Sequence, residues 1–198
     1  MKDLAALLDA RQAAGLYRSR QVIDGPQGIT VRSDGREYLS FCSNDYLGLA
    51  NHPDVVAAFR RGLDEFGAGS GAAHLVTGHT RAHHELEEAL AGFVQRPRAL
   101  LFSTGYMANL GVIAALLGRG DRVFEDHTNH ASLLDGARLS GARLVRYRHA
   151  DSGDLEGRLS TASGGEYLVA TDGVFSMDGD IAPLGKLAGV AQRHAAWL

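Results

Sequence analysis

The fold of this chain is decided by the stretch Ala99-Leu100-Leu101-Phe102-Ser103-Thr104-Gly105-Tyr106-Met107-Ala108-Asn109. It opens with an apolar run of strand length, and apolar residues then recur at helical spacing as far as Leu117, so we predict a buried strand followed by a helix. A strand that turns at a glycine into a helix directs unpaired backbone N–H groups and the positive end of the helix dipole at one point. That point suits a phosphate. The same residues also fit a capped helix with nothing bound, since the stretch is neither a P-loop nor a GxGxxG turn.

Strands alternate with helices after this stretch. Short runs at 121–126, 143–148 and 167–171 predict strands, and helical spacing predicts helices at 133–139 and 184–194. The last of the three runs is almost continuously apolar, as buried parallel strands are. The alternation is typical of an α/β domain with a mostly parallel sheet.

Polar residues follow three of the predicted strands. These clusters are Ser103–Tyr106, His127–Ser132 and Asp172–Ser176. Ligands of such sheets bind beyond the carboxyl ends of the strands. We therefore expect the three clusters to meet at one edge of the sheet and to form a functional site.

The first part of the chain carries more local signals. Leucines at helical spacing predict a helix over 3–16, Asp34-Gly35 predicts a hairpin that joins 29–31 to 37–41, and His52-Pro53 opens a helix that runs to Leu63. The glycine-rich segment Gly67–Gly71 predicts either a loop close to a ligand or another backbone, or a plain linker.

A group of histidines follows the glycine-rich segment. It comprises His74, His79, His83 and His84, and the spacing of His79 and His83 would place them on one face of a helix, as in some zinc sites. There is no HExxH motif and no cysteine pair, so we predict no metal. An apolar stripe explains the helix better: Ala82, Leu86, Leu90 and Phe93.

Composition excludes several classes of protein. The chain has 198 residues and a net charge of −3, with no basic run that would favour nucleic acid. Cys42 is the only cysteine, so an internal disulfide is impossible. The N-terminus lacks an apolar signal core, and no apolar run reaches the roughly 20 residues that a bilayer requires. We expect a cytoplasmic protein with no membrane partner.

Four blocks of sequence together resemble the α-oxoamine synthases, which are pyridoxal 5'-phosphate (PLP) enzymes of the aspartate-aminotransferase fold. The blocks are Ser43–Leu49, Ser103–Asn109, Asn129–Ser132 and Thr171–Gly179, and they occur in order along nearly the whole chain. The resemblance implies the large domain of a fold-type I PLP transferase. Within the family, His74–His79 and Thr104–Asn109 are most similar to the member that acts in biotin synthesis.

The resemblance also implies roles for particular residues. Gly105 and Tyr106 match the turn that meets the cofactor phosphate or the ring edge. His130 matches a catalytic histidine that stacks on the cofactor ring and contacts substrate. Ser176 matches a hydroxyl that binds the phenolic oxygen of the cofactor. Arg18 matches an arginine that binds a substrate carboxylate, although its spacing alone fits a surface arginine.

The implied reaction is a decarboxylative condensation of L-alanine with a pimeloyl thioester, carried by coenzyme A or a carrier protein, to give 8-amino-7-oxononanoate. The resemblance implies a homodimer. Alternatives remain: another α-oxoamine synthase such as glycine C-acetyltransferase, a non-catalytic partner subunit, or a plain nucleotide-binding α/β module. The absence of GxGxxG and P-loop motifs argues against the last of these.

The family pattern continues beyond Leu198. Its next strand carries an aspartate that pairs with the pyridine nitrogen, and the lysine of the Schiff base comes later, whereas this sequence stops where that strand begins. We therefore expect an N-terminal fragment with an incomplete sheet. Residues 1–45 would be an arm of helix and hairpin, and residues 46–198 part of the cofactor-binding large domain. Of the lysines present, neither Lys2 nor Lys186 is expected at the site.

Overall fold

A computed structural model describes residues 2–198. The chain divides into two compact units, Met1–Leu86 and Glu87–Leu198. Helix α3 (Arg81–Phe93) runs across the division between them. Across the described part of the chain, no helix combines the length and apolar character needed to span a membrane.

The first unit consists of helices and one hairpin. Its elements are α1 (Leu4–Ala13), β1 (Thr30–Ser33), β2 (Arg36–Leu39), α2 (Pro53–Phe66) and a π-helical turn (His74–Gly78). The predicted hairpin is confirmed, because β1 and β2 pair antiparallel around Asp34 and Gly35, both of which have positive φ. The predicted helix start at His52 is also confirmed: its imidazole accepts a hydrogen bond from Asp54 N at 3.3 Å, and Pro53 occupies the first turn.

The second unit is a three-layered α/β structure. Its elements are α4 (Gly105–Leu116), β3 (Arg122–Asp126), α5 (Ala131–Ser140), β4 (Arg143–Tyr147), α6 (Ser152–Ser160), β5 (Tyr167–Ala170) and α7 (Leu184–Arg193). The strands form a parallel sheet in the order β4-β3-β5. The α/β fold with a parallel sheet is therefore confirmed.

Alternate residues of β3 face opposite layers. Val123 packs in an apolar cluster with Ile113 of α4 and Leu133 of α5, whereas Phe124 packs in a second cluster with Leu155 of α6 and Leu187 of α7. The sheet is thus covered on both faces, which explains why β5 is a continuous apolar run.

Helices α4 and α5 approach each other closely at Gly136. A Cβ atom built on Gly136 would lie 2.9 Å from Ile113 Cδ1 and 3.0 Å from Asn109 O. Because Gly136 has no side chain, the backbone of α5 packs directly against the Ile113 side chain and the Asn109 carbonyl group of α4. Their N-termini are consequently brought together at one edge of the sheet.

The predicted strand over 99–102 is wrong. The segment is extended but lies in no strand, and Leu100 is largely exposed. A strand needs a ladder partner, and none of residues 2–198 pairs with this segment; Leu101 N donates instead to Glu87 Oε1 at 3.1 Å. The turn and the helix that follow are confirmed. The strand start expected near the end of the sequence is confirmed as a parallel bridge between Trp197 and Leu168.

One helix of the second unit was not predicted. It is α6, whose first turn is capped by Asp151 through bonds from Gly153 N and Asp154 N, both at 2.9 Å. Two helix-weakening glycines, at 153 and 157, obscured its apolar pair Leu155 and Leu159.

Candidate functional site

The N-terminus of α4 presents free backbone donors. Thr104 caps the helix by accepting a hydrogen bond from Met107 N at 3.1 Å. The N–H groups of Gly105 and Tyr106 find no acceptor among the residues that the structure describes. A Cβ atom at Gly105 would meet no atom within 4 Å, so the space beside the turn at Gly105 is open. The turn therefore fits an anionic group such as a phosphate.

His130 lies at the N-terminus of α5 with its ring held in place. Its Nδ1 accepts from Ser132 N at 3.2 Å and lies 2.7 Å from Ser132 Oγ, and that hydroxyl accepts from Asn109 Nδ2 at 2.9 Å. Because Nδ1 is the acceptor, a neutral ring carries its proton on Nε2. The chain of bonds from Asn109 through Ser132 to His130 fixes the ring plane, and His130 is exposed.

Tyr106 connects the two helix N-termini. Its ring meets that of His130 edge to face, with the centroids 6.3 Å apart and the planes at 83°. Its hydroxyl donates to Asp135 Oδ2 of α5, and this bond raises the pKa of Tyr106 above its ordinary value. Tyr106 is therefore kept as a neutral hydroxyl beside the exposed imidazole.

The loops that follow β3 and β5 are joined by hydrogen bonds. Asn129 is buried; its Nδ2 donates to Ala170 O at 2.8 Å, and its Oδ1 accepts from Asp172 N at 3.1 Å. Asp172 Oδ2 in turn accepts from His130 N at 2.8 Å. The three predicted clusters are thereby brought together through Tyr106, His130 and Asp172. The sequence did not identify Asn129 or Asp172 as the links, although both lie within its motifs.

A fully buried carboxyl group lies beside these loops. Glu125 of β3 pairs in register with Arg146 and Ala170, and its carboxylate oxygens accept no well-formed hydrogen bond from any described residue. Burial raises the pKa of Glu125 to about 7, and the charge of Arg146 opposes the rise. Nothing in the sequence pattern distinguished this residue, because it occupies the place of an ordinary polar residue near a strand end.

Ser176 lies in the loop after β5. Val174 and Ile181 form an antiparallel bridge across this loop, so residues 174–181 make a short hairpin. Ser176 is exposed, and its hydroxyl forms no hydrogen bond with any residue from 2 to 198. The structure therefore shows no contact that joins it to His130 or Gly105.

Arg18 belongs to the first unit. It is exposed beside Arg11 and Tyr17 in a surface groove, and no described carboxylate forms an ion pair with it. Its guanidinium is free to bind an anion.

The histidine group in the first unit does not share a helix. His79 follows the π-helical turn and precedes α3, so the predicted common helical face with His83 is wrong. The side chains still cluster, with His74 Nδ1 3.1 Å from His79 Nδ1 and the ring of His74 4.7 Å from that of His83.

Curated proteins of one name are similar to this chain along nearly its whole length. An 8-amino-7-oxononanoate synthase from Nitrosococcus oceani is 65% identical over 191 residues, which are 96% of this chain and 51% of that protein. A protein of the same name from Thioalkalivibrio sulfidiphilus is 63% identical over 199 residues, or 100% of this chain and 51% of that one. These relatives confirm the resemblance found in the motifs. The chain spans about half the length of the curated relatives it matches.

Solved structures show the same fold. A serine palmitoyltransferase variant from S. paucimobilis with a bound PLP–myriocin aldimine superposes with a TM-score of 0.88 at 36% identity, covering 98% of this chain and 49% of that one. This agreement confirms the fold-type I PLP architecture. The family described as aminotransferase class I and II matches residues 36–198. With its parallel sheet and this match over most of its length, the chain belongs to the class I and II aminotransferase family.

Proposed function

We propose that the protein to which this chain belongs is a PLP-dependent C-acyltransferase of biotin synthesis. It joins the α-carbon of L-alanine to the carbonyl carbon of a pimeloyl thioester, with departure of the thiol carrier and of the alanine carboxyl group as CO2. The product is 8-amino-7-oxononanoate. The observation that carries this proposal is the 63–65% identity to proteins of that name along 96–100% of the chain.

The turn at the start of α4 is proposed to hold the cofactor phosphate. Support comes from the free N–H groups of Gly105 and Tyr106 and from the open space beside the turn at Gly105. The helix dipole adds a favourable interaction with the negative charge. PLP, when bound there, supplies an electron sink for negative charge at the amino-acid α-carbon.

His130 is proposed to orient the cofactor ring and to contact substrate. Its imidazole is exposed on one side and fixed by Ser132 on the other, so it offers a flat surface of defined orientation. The Nε2–H of a neutral ring is left to donate to a substrate oxygen. Holding a reacting group in one orientation lowers the entropic part of the barrier.

Two further roles are proposed for residues outside this cluster. The Ser176 hydroxyl donates to the phenolic oxygen of the cofactor, and its lack of another partner in residues 2–198 leaves it available for this bond. The Arg18 guanidinium binds a substrate carboxylate through two parallel hydrogen bonds, which its planar shape suits.

The wider arrangement is part of the same proposal. We place the protein in the cytoplasm as a homodimer, with residues 1–45 as an arm and residues 46–198 as part of the cofactor-binding domain. The acyl carrier is coenzyme A or a carrier protein, both of which present the same thioester chemistry.

The test is a product assay of the full-length gene product loaded with PLP. Alanine and serine are each offered with pimeloyl and palmitoyl thioesters, and the products are identified by mass. We expect 8-amino-7-oxononanoate from alanine with the pimeloyl donor. Turnover only with serine and the palmitoyl donor would show instead the activity for which the S. paucimobilis structure is named. No turnover with any pair, together with no PLP binding, would favour the non-catalytic subunit.

A further inference from the structure

A histidine outside the cluster around His130 bridges two carboxylates. His149 follows β4, and its Nδ1 lies 2.9 Å from Asp126 Oδ1 while its Nε2 lies 2.9 Å from Asp180 Oδ2. Carboxylates accept hydrogen bonds, so each ring nitrogen must donate. A neutral imidazole has a single N–H, so both contacts with ionised carboxylates are hydrogen bonds only when the ring is doubly protonated and positively charged.

One end of the bridge is fixed in the sheet. Asp126 is fully buried at the carboxyl end of β3, and its oxygens accept from Thr128 N at 2.9 Å, Thr128 Oγ1 at 2.8 Å and Ala150 N at 2.7 Å. Burial favours the neutral acid, but these hydrogen bonds and the one from His149 outweigh it and hold the pKa of Asp126 below its ordinary value. Asp126 is therefore a negatively charged side chain held at the end of β3 by several hydrogen bonds.

The other end lies in the hairpin 174–181. Asp180 O accepts from Phe175 N at 2.9 Å across this hairpin. The second carboxylate oxygen of Asp180 is buried, and no described residue bonds to it. The charge of Asp180 is thus balanced by His149. Phe175, which is buried, sets its ring edge to face against the imidazole with the centroids 4.5 Å apart.

Two carboxylates are the charged groups that contact His149 among the described residues. Asp126 faces it from β3 and Asp180 from the hairpin, and the hydrogen bond to Asp126 raises the pKa of His149 above its ordinary 6.5. Thr128 Oγ1 also lies 2.6 Å from Nδ1. The adjacent Arg148 turns away and pairs with Asp151 at 2.9 Å and Asp154 at 3.7 Å.

We propose that His149 is a positioning residue, which as an imidazolium clamps the hairpin 174–181 to the end of β3 and so holds the Ser176 hydroxyl in place for the cofactor. The clamp itself follows from the contacts; its purpose rests on the proposed role of Ser176. When His149 loses its proton, one carboxylate loses its donor and the hairpin loosens.

The clamp is tested by hydrogen–deuterium exchange of the full-length gene product without PLP. The variants are Asp180→Asn, His149→Gln and, as a control, Asp178→Asn, which alters an exposed carboxylate of the same hairpin that forms no ion pair with the described residues. We expect exchange in a peptide spanning 173–182 to rise about tenfold in the first two variants, because the charge-assisted hydrogen bond between His149 and Asp180 becomes at best a neutral one of about half the strength. The control should match the parent protein.

The pH dependence separates a charged clamp from ordinary packing. After correction for intrinsic exchange, the hairpin of the parent protein should loosen as pH rises through the pKa of His149, and this step should be missing in His149→Gln. Unchanged exchange at 173–182 in Asp180→Asn would overturn the clamp. An equal rise in the peptides of β3 and β5 would also overturn it, because it would show general destabilisation.

The proposed effect of the clamp on the position of Ser176 is tested separately, by measuring PLP affinity with equilibrium dialysis. Asp180→Asn should weaken PLP binding by about the same factor as Ser176→Ala, whereas Asp178→Asn should not. A loosened hairpin with unchanged PLP affinity would overturn the positioning role. None of these measurements requires turnover, so a failure of the proposed reaction would be recognised separately.

Discussion

The backbone N–H of His130 donates to Asp172 Oδ2 at 2.8 Å, although the two residues are 42 positions apart. This bond joins the loop after β3 to the loop after β5. It holds the start of α5 beside the loop that follows β5. The Asp172 side chain that makes this bond has no proposed role in the chemistry.

Replacing Asp172 tests this link. In Asp172→Ala the His130 N–H loses its acceptor, which should lower the free energy of unfolding by about 1–2 kcal/mol and weaken PLP binding several-fold. Asp172→Asn keeps an acceptor oxygen and serves as the matched control. Thermal unfolding and PLP titration of the full-length gene product measure both effects, and equal behaviour of the two variants would contradict the link.

His130→Ala tests the proposed cofactor contact. Loss of the ring removes the flat surface at the site and the cap at Ser132 N, so PLP affinity and turnover should both fall strongly while the fold survives. The cap alone is worth about 1 kcal/mol. His52→Ala is the matched control, because His52 caps α2 in the same way, through Asp54 N. If His130→Ala bound PLP as well as His52→Ala does, His130 would be a structural histidine.

Glu125→Gln tests the buried carboxyl group. The pKa of Glu125 is about 7 in the fold against an ordinary 4.5, so between these values the unfolded chain releases the proton and the folded chain keeps it. The stability contributed by the protonated group is therefore full below pH 4.5 and is lost as pH rises through about 7. Glutamine does not ionise, and it should gain up to about 3 kcal/mol over the parent protein across this range.

The measurement for Glu125 is the thermal midpoint of both proteins from pH 4.5 to 8. Glu166→Gln, at an exposed position before β5, controls for the loss of one negative charge. A constant difference between parent and Glu125→Gln at every pH would show that the buried carboxyl does not titrate in this window.

Arg18→Lys tests the proposed carboxylate contact. Lysine keeps the positive charge but loses the two-pronged geometry of the guanidinium. We expect the KM for the carboxylate-bearing substrate to rise roughly tenfold, with PLP affinity unchanged. The KM is measured by steady-state kinetics for Arg18→Lys and, as a control, for Arg20→Lys. An equal KM in both variants would show that Arg18 is an ordinary surface arginine that does not bind substrate.

Residues 1–198 alone should not catalyse the reaction. A Schiff-base lysine must lie close to the aldehyde and shed its proton through burial or a cationic neighbour, whereas Lys186 is exposed in α7 and Lys2 precedes α1. The 198-residue chain is incubated with PLP, alanine and the pimeloyl donor, then reduced with borohydride and mapped by mass spectrometry. A specific adduct on Lys186 together with product would contradict this prediction.

The parts of the fold that could be predicted from the sequence are those determined by residues adjacent in the chain. Asp34-Gly35 sets the hairpin because both residues adopt positive φ, and Thr104 sets the start of α4 through its own hydroxyl. The strand predicted over 99–102 is wrong because an apolar run indicates only that its side chains favour burial. It does not show whether another strand lies beside it to form the backbone hydrogen bonds of a sheet.

The features of the candidate site also divide into those that the sequence could predict and those that it could not. The sequence predicted that the clusters of Tyr106, His130 and Asp172 meet at one edge of the sheet, although only His130 and Asp172 follow strands in the structure. It could not reveal that Asn129 bonds to Ala170 O or that Glu125 is wholly enclosed. Both facts depend on the register between β3 and β5, which pairs Glu125 with Ala170, and no short motif encodes a register.

The close packing at Gly136 limits how this part of the molecule can change. Alanine normally favours a helix over glycine by about 1 kcal/mol, and Gly157 of α6 has the free space for that exchange. At Gly136 a methyl group would lie 2.9 Å from Ile113 Cδ1, which a change of side-chain rotamer can relieve, and 3.0 Å from the backbone oxygen of Asn109, which only a shift of α4 against α5 can relieve. A selection for thermostable variants should therefore accept alanine more readily at 157 than at 136, because only the exchange at 136 changes the distance between the helices that carry Tyr106 and His130.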